Sequence, residues 1–500
     1  MLIRARNVPL VIDLSVPSPE VLSKFIPYIS CTRELRLRDL SRLTSHAVRE
    51  ICALEAPALE HFELEVRGNY PFDFCNFAGT TLLKGRAPKL RTFSLIQIFI
   101  PWELIPRGPL TQLKITLSEV QSISPNDMNQ LIDLLIDSPD LEELVLKFCL
   151  PPLPSQVSPE QQIYLPHLSR LNLSGPTARV TNLLKTLRLR SSAKLYLHCT
   201  SEDSITHPDH MILPLISVHF ENPTPVEFKS LSLTLFTTPY FVNVAASTDP
   251  LGLKTYNPPI RDSKAELTLV FDDIALSDFE ESILGRMCSM LPISNLKFLS
   301  ISTIGGENVI RSGNWYELFQ RCESVTTIQA KGRGTINLLL ALAPPKVTNM
   351  TTGNKGKKWR HENRATQAQP ASNVVGTTWV TTTPFPKLTA LYLKDLNLIV
   401  TVPYCGILYD VLMNAIQWRD KNKMPLKTLS INRCTIPTHC ANSLKKSVQE
   451  FSWDGNEGAT NDNNEWDEAY YGDDPDFAFP PWPWLADLQV FSETAQAEWE

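Results

Sequence analysis

Two short runs in the sequence have residue types that could carry chemistry, one for phosphate and one for a metal ion. Residues Lys331–Thr335 (KGRGT) follow a strand-like run and precede an apolar helix, which is the setting of a phosphate-binding loop. The run lacks the third glycine and the Gly-Lys-Ser/Thr step of that motif. A turn between a strand and a helix is therefore the favoured interpretation, with nucleotide binding as the alternative.

The second run is rich in histidine. Residues His207–His210 (HPDH) are followed by His219, and together they could supply metal ligands. A metal site requires ligands that converge, together with outer partners that orient them. We expect this run to lie in a polar loop and to be solvated. The sequence also contains neither Gly-x-Ser-x-Gly nor His-Glu-x-x-His, so we predict no metal site, no cofactor and no catalytic residue.

The ten cysteines show no metal-binding or disulfide pattern. None forms a Cys-x-x-Cys pair, so we expect small apolar residues in a reducing compartment. A catalytic Cys–His pair stays open as an alternative, although no cysteine has a recognisable activating context.

The elements that would position any site follow from a repeated leucine pattern. Leucine occurs 68 times, and the clearest unit, residues 88–100, reads P-x-L-x-x-L-x-L-x-x-I-x-I. Similar units follow Pro57, Pro139, Pro166 and Pro386, and weaker copies bring the total to about thirteen. The spacing between successive units indicates a leucine-rich repeat, with some repeats lengthened.

Each unit predicts a short strand, because Leu-x-Leu is the period-two signature of a strand with one buried face. Amphipathic helices are predicted after Ser124, after Ser277 and at 407–416. The predicted fold class is α/β, a right-handed leucine-rich-repeat solenoid of βα repeats with parallel strands on the concave face and helices outside. A doubly wound α/β sheet is the alternative. The leucines expected in the core include Leu95, Leu146 and Leu393.

Side chains between the strand leucines point away from the core, because directions alternate along a strand. They mix charged, hydroxyl, amide and aromatic groups, as a protein-binding surface does. The predicted concave binding surface comprises Glu34, Arg36, Arg38, Glu63, Glu65, Ser94, Lys114, Thr116, Lys147, Asn172, Tyr196, His198, Tyr392, Lys394, Ser430 and Asn432.

Residues 56–64 (APALEHFEL), 87–95 (APKLRTFSL) and 105–113 (IPRGPLTQL) resemble the F-box/leucine-rich-repeat proteins of mushroom-forming fungi. Residues 451–458 (FSWDGNEG), which lead into an acidic stretch, are similar to the ends of many such chains. The resemblance covers most of residues 1–458. It implies non-catalytic recognition of a protein, as by the substrate-receptor part of a cullin-RING ubiquitin ligase. The alternatives are a stand-alone repeat scaffold and an enzyme with a site in an insertion.

The start of the chain departs from that family. In that family an F-box precedes the repeats. Residues 4–14 of this chain (RARNVPLVIDL) look like the segment that follows the F-box. We therefore expect residues 1–500 not to bind the Skp adaptor, and a chain extended upstream through an in-frame F-box to bind it.

Charge divides the chain. Residues 450–500 hold 14 Asp and Glu and no Lys or Arg, which leaves 47 basic and 39 acidic groups in residues 1–449. That part of the chain is much less basic than a dedicated nucleic-acid binder. The sequence also has no apolar run long enough to indicate a membrane span. We predict an intracellular monomer, cytoplasmic or nuclear, that binds a protein but neither nucleic acid nor membrane.

Four segments are predicted along the chain. One of them, an insertion at 346–385, has no regular spacing of apolar residues. It includes the basic run 354–360, for which a nuclear-localisation patch is the alternative to a solvated loop. Residues 452–482 are too polar to sustain a core, so we expect them to be disordered and residues 483–491 to be the only part of the tail able to dock on the body. The segments are the first part of the array (1–345), a disordered insertion loop (346–385), the last repeats (386–449) and an acidic tail (450–500) with an aromatic segment at 481–491.

Overall fold

A computed structural model of the chain describes fourteen stretches of residues and two single positions. The fold, contacts and burial of this protein are described for these residues alone. They are 9–40, 50, 53–66, 72–73, 82–118, 127–152, 162–200, 208–221, 225–237, 240–250, 265–272, 284–304, 315, 322–342, 385–402 and 406–457.

The fold is α/β, with one mostly parallel sheet of 16 strands. The strands are numbered along the chain, and their order across the sheet differs from that numbering. From one edge to the other they are β1 (Leu10–Ser15), β2 (Thr32–Arg38), β3 (His61–Glu65), β5 (Thr92–Ile96), β7 (Gln112–Thr116), β8 (Glu143–Lys147), β10 (Arg170–Pro176), β12 (Lys194–Thr200), β15 (Leu267–Asp272), β14 (Tyr240–Ser247), β13 (Ser230–Thr237), β16 (Phe298–Ile304), β17 (Thr327–Lys331), β18 (Ala390–Lys394), β21 (Thr428–Asn432) and β22 (Glu450–Trp453).

Six two-residue strands form separate ribbons, in which β4 (Phe72–Asp73) pairs with β6 (Ile98–Phe99), β9 (Ile163–Tyr164) with β11 (Leu187–Arg188), and β19 (Thr401–Val402) with β20 (Gly406–Ile407). In the described residues, no helix combines the length and the apolar character needed to cross a membrane. The helices are α1 (Pro19–Phe25), α2 (Asp127–Ile136), α3 (Thr177–Thr186), α4 (Pro208–Glu221), α5 (Leu284–Met290), α6 (Ile336–Leu342), α7 (Leu408–Lys421) and α8 (Thr438–Ser447).

One hydrophobic core joins the sheet to the helices. Leu95 and Leu146 on the strands are fully buried and Leu393 is 1% exposed, which confirms their predicted positions. Leu131 of α2 and Leu183 of α3 belong to the same cluster. Every strand predicted from a leucine unit lies in the large sheet, namely β2, β3, β5, β7, β8, β10, β12, β13, β15, β16, β17, β18 and β21.

The expectation of a wholly parallel sheet is wrong at β14, which runs antiparallel to both β13 and β15. β13 and β14 form a hairpin whose last pair is Thr237 with Tyr240. So short a connection must reverse the chain, because parallel strands need a crossover of a dozen or more residues. As a result β15 lies beside β12, and β13 lies beside β16. The leucine pattern does not reveal β14 because its core-facing residues are Val242, Val244 and Ala246.

Two segment boundaries also differ from the prediction. The sheet continues through β22, which pairs with β21 although its residues were assigned to the acidic tail. Phe385, assigned to the insertion, is fully buried in the core. The rest of the insertion and residues 458–500, including the aromatic segment, lie outside the described residues.

Candidate functional site

The side of the sheet opposite the core, which we call the polar face, carries two rows of side chains across the strands. Neighbours in a row are about 4.8 Å apart, because that is the spacing of paired strands. Row one is Asp13, Arg36, Glu63, Ser94, Lys114, Val145, Asn172, Tyr196, Thr268, Ala245, Ser232, Ser300, Gln329, Tyr392, Ser430 and Ser452. Row two is Glu65, Ile96, Thr116, Lys147, Ser174, His198, Val270, Asn243, Thr234, Ser302, Lys331, Lys394 and Asn432.

The predicted surface residues lie in or beside these rows. Fourteen of them occupy row positions, while Glu34 and Arg38 flank Arg36 on β2. One prediction needs correction: Ser94 is only 6% exposed, so its side chain is not part of an accessible surface. Burial also extends over β15, β14, β13 and β16, where the row residues are at most 8% exposed, namely Thr268, Asn243, Thr234 and Ser302. The accessible polar face is therefore divided, with one part before β15 and the other after β16.

Ion pairs engage both arginines at the first end of the polar face. Arg38 donates a hydrogen bond from Nε to Glu63 Oε1 at 3.2 Å, and its Nη1 lies 3.7 Å from Asp13 Oδ1. Arg36 Nη2 donates to Glu34 Oε2 at 3.0 Å. The hydrogen bond to Glu63 raises the pKa of Arg38. Both arginines already have carboxylate partners, and the carboxylates at this end outnumber them. This end therefore does not attract an anionic ligand.

The middle of the polar face combines aromatic and titratable groups. Lys147 Nζ lies 5.7 Å from the centre of the Tyr196 ring. His198 Nε2 is 2.6 Å from Asp272 Oδ2, and the Phe148 ring packs edge-on against His198 at 5.7 Å. Asp272 was not predicted, because it ends β15, far from His198 in sequence, and only strand order brings the two together.

Cations gather at the other end. Lys331 of β17 pairs in register with Lys394 of β18, and Arg433 Nε lies 3.3 Å from Asp395 Oδ1. Burial raises the pKa of Asp395, although Arg433, Lys331 and Lys394 oppose that shift. Adjacent like charges in register are unfavourable on their own, so an additional anion over this pair would be stabilising.

The two rows have a uniform charge over most of the sheet. From β5 to β21 they hold Lys114, Lys147, Lys331 and Lys394, and none of these row positions carries an Asp or Glu. Asp272 and Asp395 lie next to the rows and are bound to His198 and Arg433. The rows thus favour negatively charged ligands.

The glycine-containing run Lys331–Thr335 forms the predicted turn from β17 into α6, with a 3-10 helix at Arg333–Thr335. The Gly332 amide donates to the Lys394 carbonyl at 3.0 Å, and the Gly334 amide donates to Thr303 Oγ1 at 2.9 Å. A phosphate loop needs such amides directed at the ligand, so this geometry argues for the turn.

The expectation of a polar loop for the histidine run is wrong, because α4 begins at Pro208. His207 lies outside the described residues. His219 is partly buried on α4, 3.4 Å from the Ala193 carbonyl oxygen, and burial lowers its pKa. Within the part of the chain that the structure describes, no three His, Cys, Asp or Glu side chains are grouped as metal ligands.

A Cys–His contact is present, but the thiol is not activated. Cys440 Sγ lies 3.3 Å from His439 Nε2 on α8, and burial raises the pKa of Cys440. Burial likewise raises the pKa of Cys322 and of Cys434, each to about 11. Because a cysteine nucleophile acts as a thiolate, these raised pKa values disfavour the reactive form of the three thiols.

The buried Cys434 thiol predicts a loss of stability in alkali. Between about pH 9 and pH 11 the unfolded chain gives up this proton while the folded chain retains it, so stability falls as the pH rises. Between pH 8 and pH 10 we expect Cys434 to account for about 1 kcal/mol of the decrease in unfolding free energy. Denaturant titrations in the presence of a reductant would show a smaller decrease for Cys434→Ala. Ile436→Val, in the same turn, should keep the parent decrease, and equal decreases in all three proteins would contradict the prediction.

No protein-family model matches the chain, and no curated protein matches it.

Proposed function

We propose that this protein recognises another protein, without catalysis, through its polar face. The observation that carries the proposal is the run of the two rows from β5 to β21, which contains four lysines and no carboxylate. A partner with an acidic surface or an acidic extended segment fits this charge. In this proposal the fold is a right-handed leucine-rich-repeat solenoid, the polar face is its concave side, and the array resembles the substrate-receptor part of an F-box protein.

Two aromatic and basic pairs are suited to anchor the partner. Tyr196 lies beside Lys147 in the first accessible part, and Tyr392 lies two residues before Lys394 in the second. Tyrosine is enriched where proteins bind each other, because a large rigid ring contributes contact area at low entropic cost. The rows rest on a continuous buried core, which holds the anchors at constant spacing. Such a surface needs no cofactor.

Affinity capture with the full chain tests this function. We expect the parent protein to recover a reproducible set of partners, and the double variant Lys147→Glu/Tyr196→Ala to recover them at least about tenfold less, the equivalent of about 1.4 kcal/mol. The double variant Tyr392→Ala/Lys394→Glu should show a similar loss if both accessible parts contact the partner.

A cation–π pair away from the polar face provides the matched control. The Arg188 guanidinium carbon lies 5.9 Å from the centre of the Tyr164 ring, on β11 and β9. Arg188→Glu/Tyr164→Ala makes the same chemical changes there and should leave partner recovery unchanged. Equal recovery by all variants, or an equal loss in the control, would overturn the proposal.

A further inference from the structure

We propose that residues 458–500 of this chain, which we call the acidic segment, bind the polar face over β17, β18 and β21. This inference rests on the proposed function, because it assigns a specific occupant to the same recognition face. The acidic segment would then compete with the partner for that surface. The occupant is an intrachain one, so binding does not depend on protein concentration.

The polar face over β17, β18 and β21 carries excess positive charge. Its cations are Lys331, Arg333, Lys394 and Arg433, which all follow or end one of these strands. Among the described residues, two carboxylates lie near these cations. Asp395 is mostly buried beside Arg433, and Asp454 accepts hydrogen bonds from the backbone amides of Arg433 and Asn456. Counted over the described residues, these four cations outnumber Asp395 and Asp454, so this part of the face is positive.

The acidic segment has the complementary composition. It contains 11 Asp and Glu and no Lys or Arg, and seven of those carboxylates fall within residues 462–476. Aromatic residues alternate with them, including Trp466, Tyr470 and Tyr471. Carboxylates can pair with the lysine ammonium groups, while aromatic rings can cover Tyr392 and the aliphatic stems of the lysines. The inference therefore departs from the sequence expectation that only the aromatic end of the tail docks, because Lys331 beside Lys394 provides a basic surface for the acidic residues.

Distance favours this end of the polar face over the other. β22 lies beside β21, followed by β18 and β17, so β17 is about 14 Å from β22 at a strand spacing of about 4.8 Å. The described chain ends at Glu457, just after β22. A handful of extended residues at about 3.3 Å each spans that distance. Lys147 on β8 is ten strands from β22, about 48 Å away by the same spacing.

Tethering also favours the chain's own segment over a free acidic peptide. A short linker gives a tethered ligand an effective concentration in the millimolar range, so even weak contacts become occupied. Exposed ion pairs are individually weak, and the binding therefore depends on many of them and on salt.

Carbodiimide cross-linking of the full chain, read by peptide mass spectrometry, tests the inference. The reagent joins a carboxylate to a lysine amine as an amide when the two are in contact. We expect amide links from residues 462–476 to Lys331 and Lys394 at low salt. They should decrease at least about fivefold at 0.15 M salt, where the Debye length has fallen from about 30 Å to about 8 Å.

Charge reversal provides the matched comparison. Arg433→Glu should reduce the links to Lys331 and Lys394 at least about threefold, because it introduces a carboxylate that repels the segment. Lys445→Glu/Lys446→Glu changes two exposed lysines of α8 near the same end of the chain and should leave those links unchanged. Links absent at low salt, or equally reduced in both variants, would overturn the inference.

Two further readouts separate the possible occupants and the two proposals. If mixed light and heavy isotope-labelled chains gave links only between copies, the occupant would be a second copy and the intrachain inference would be wrong.

Replacing the seven acidic residues of 462–476 by Asn or Gln should raise partner recovery several-fold. If the cross-links are absent but partner capture still depends on Tyr196, this inference alone is refuted. If the cross-links form but partner capture does not depend on any residue of the polar face, the proposed function is refuted.

Discussion

Leu393→Ala is expected to lower the free energy of unfolding by about 2–5 kcal/mol. Leu393 is 1% exposed on β18, where it pairs in register with Ala330 on one side and Ile431 on the other. Removing its side chain loses the transfer free energy of the buried carbons and leaves a cavity between strands that cannot close together. Chemical denaturation followed by circular dichroism measures the change.

The control for Leu393 is an exposed aliphatic residue of the same region. Ile399 is 45% exposed, so Ile399→Ala should change the unfolding free energy by only about 0.5 kcal/mol. A cost below about 1 kcal/mol for Leu393→Ala would be inconsistent with its burial in a well-packed core.

Gly332→Ala is expected to destabilise the protein by about 3 kcal/mol or more, because a left-handed backbone and a steric overlap add together. Gly332 has φ +85°, and a Cβ atom there would lie 2.1 Å from the Thr303 carbonyl oxygen of β16. Since that oxygen belongs to the backbone, either β16 or the turn into α6 must move. The same unfolding measurement reports the loss.

Gly285→Ala is the matched control, since Gly285 lies on α5 with open space where its Cβ would be. Alanine is the better helix former, so this variant should gain about 0.5–1 kcal/mol. Similar losses in both variants would show that Gly332 is not held by the contact with Thr303.

Sequence alone determined where most strands lie and which of their residues enter the core. Leu-x-Leu is a local signal, because side chains alternate along a strand and one face of each strand must be buried. Leu95, Leu146 and Leu393 therefore occupy their predicted places. The same alternation predicted that Lys147 and Lys394 lie on the opposite face. Strands without leucine, such as β14, give no such signal.

Only the tertiary structure decided where the order of the strands departs from the order of the repeats. Residues distant in sequence meet across strands, and no local pattern encodes that the hairpin β13–β14 reverses the strand order between β12 and β16. The reversal places β15 beside β12 and so brings Asp272 to His198. Register across β17 and β18 likewise sets Lys331 against Lys394. Burial of Ser94 also depends on its surroundings in the folded chain, whereas its place on a strand does not.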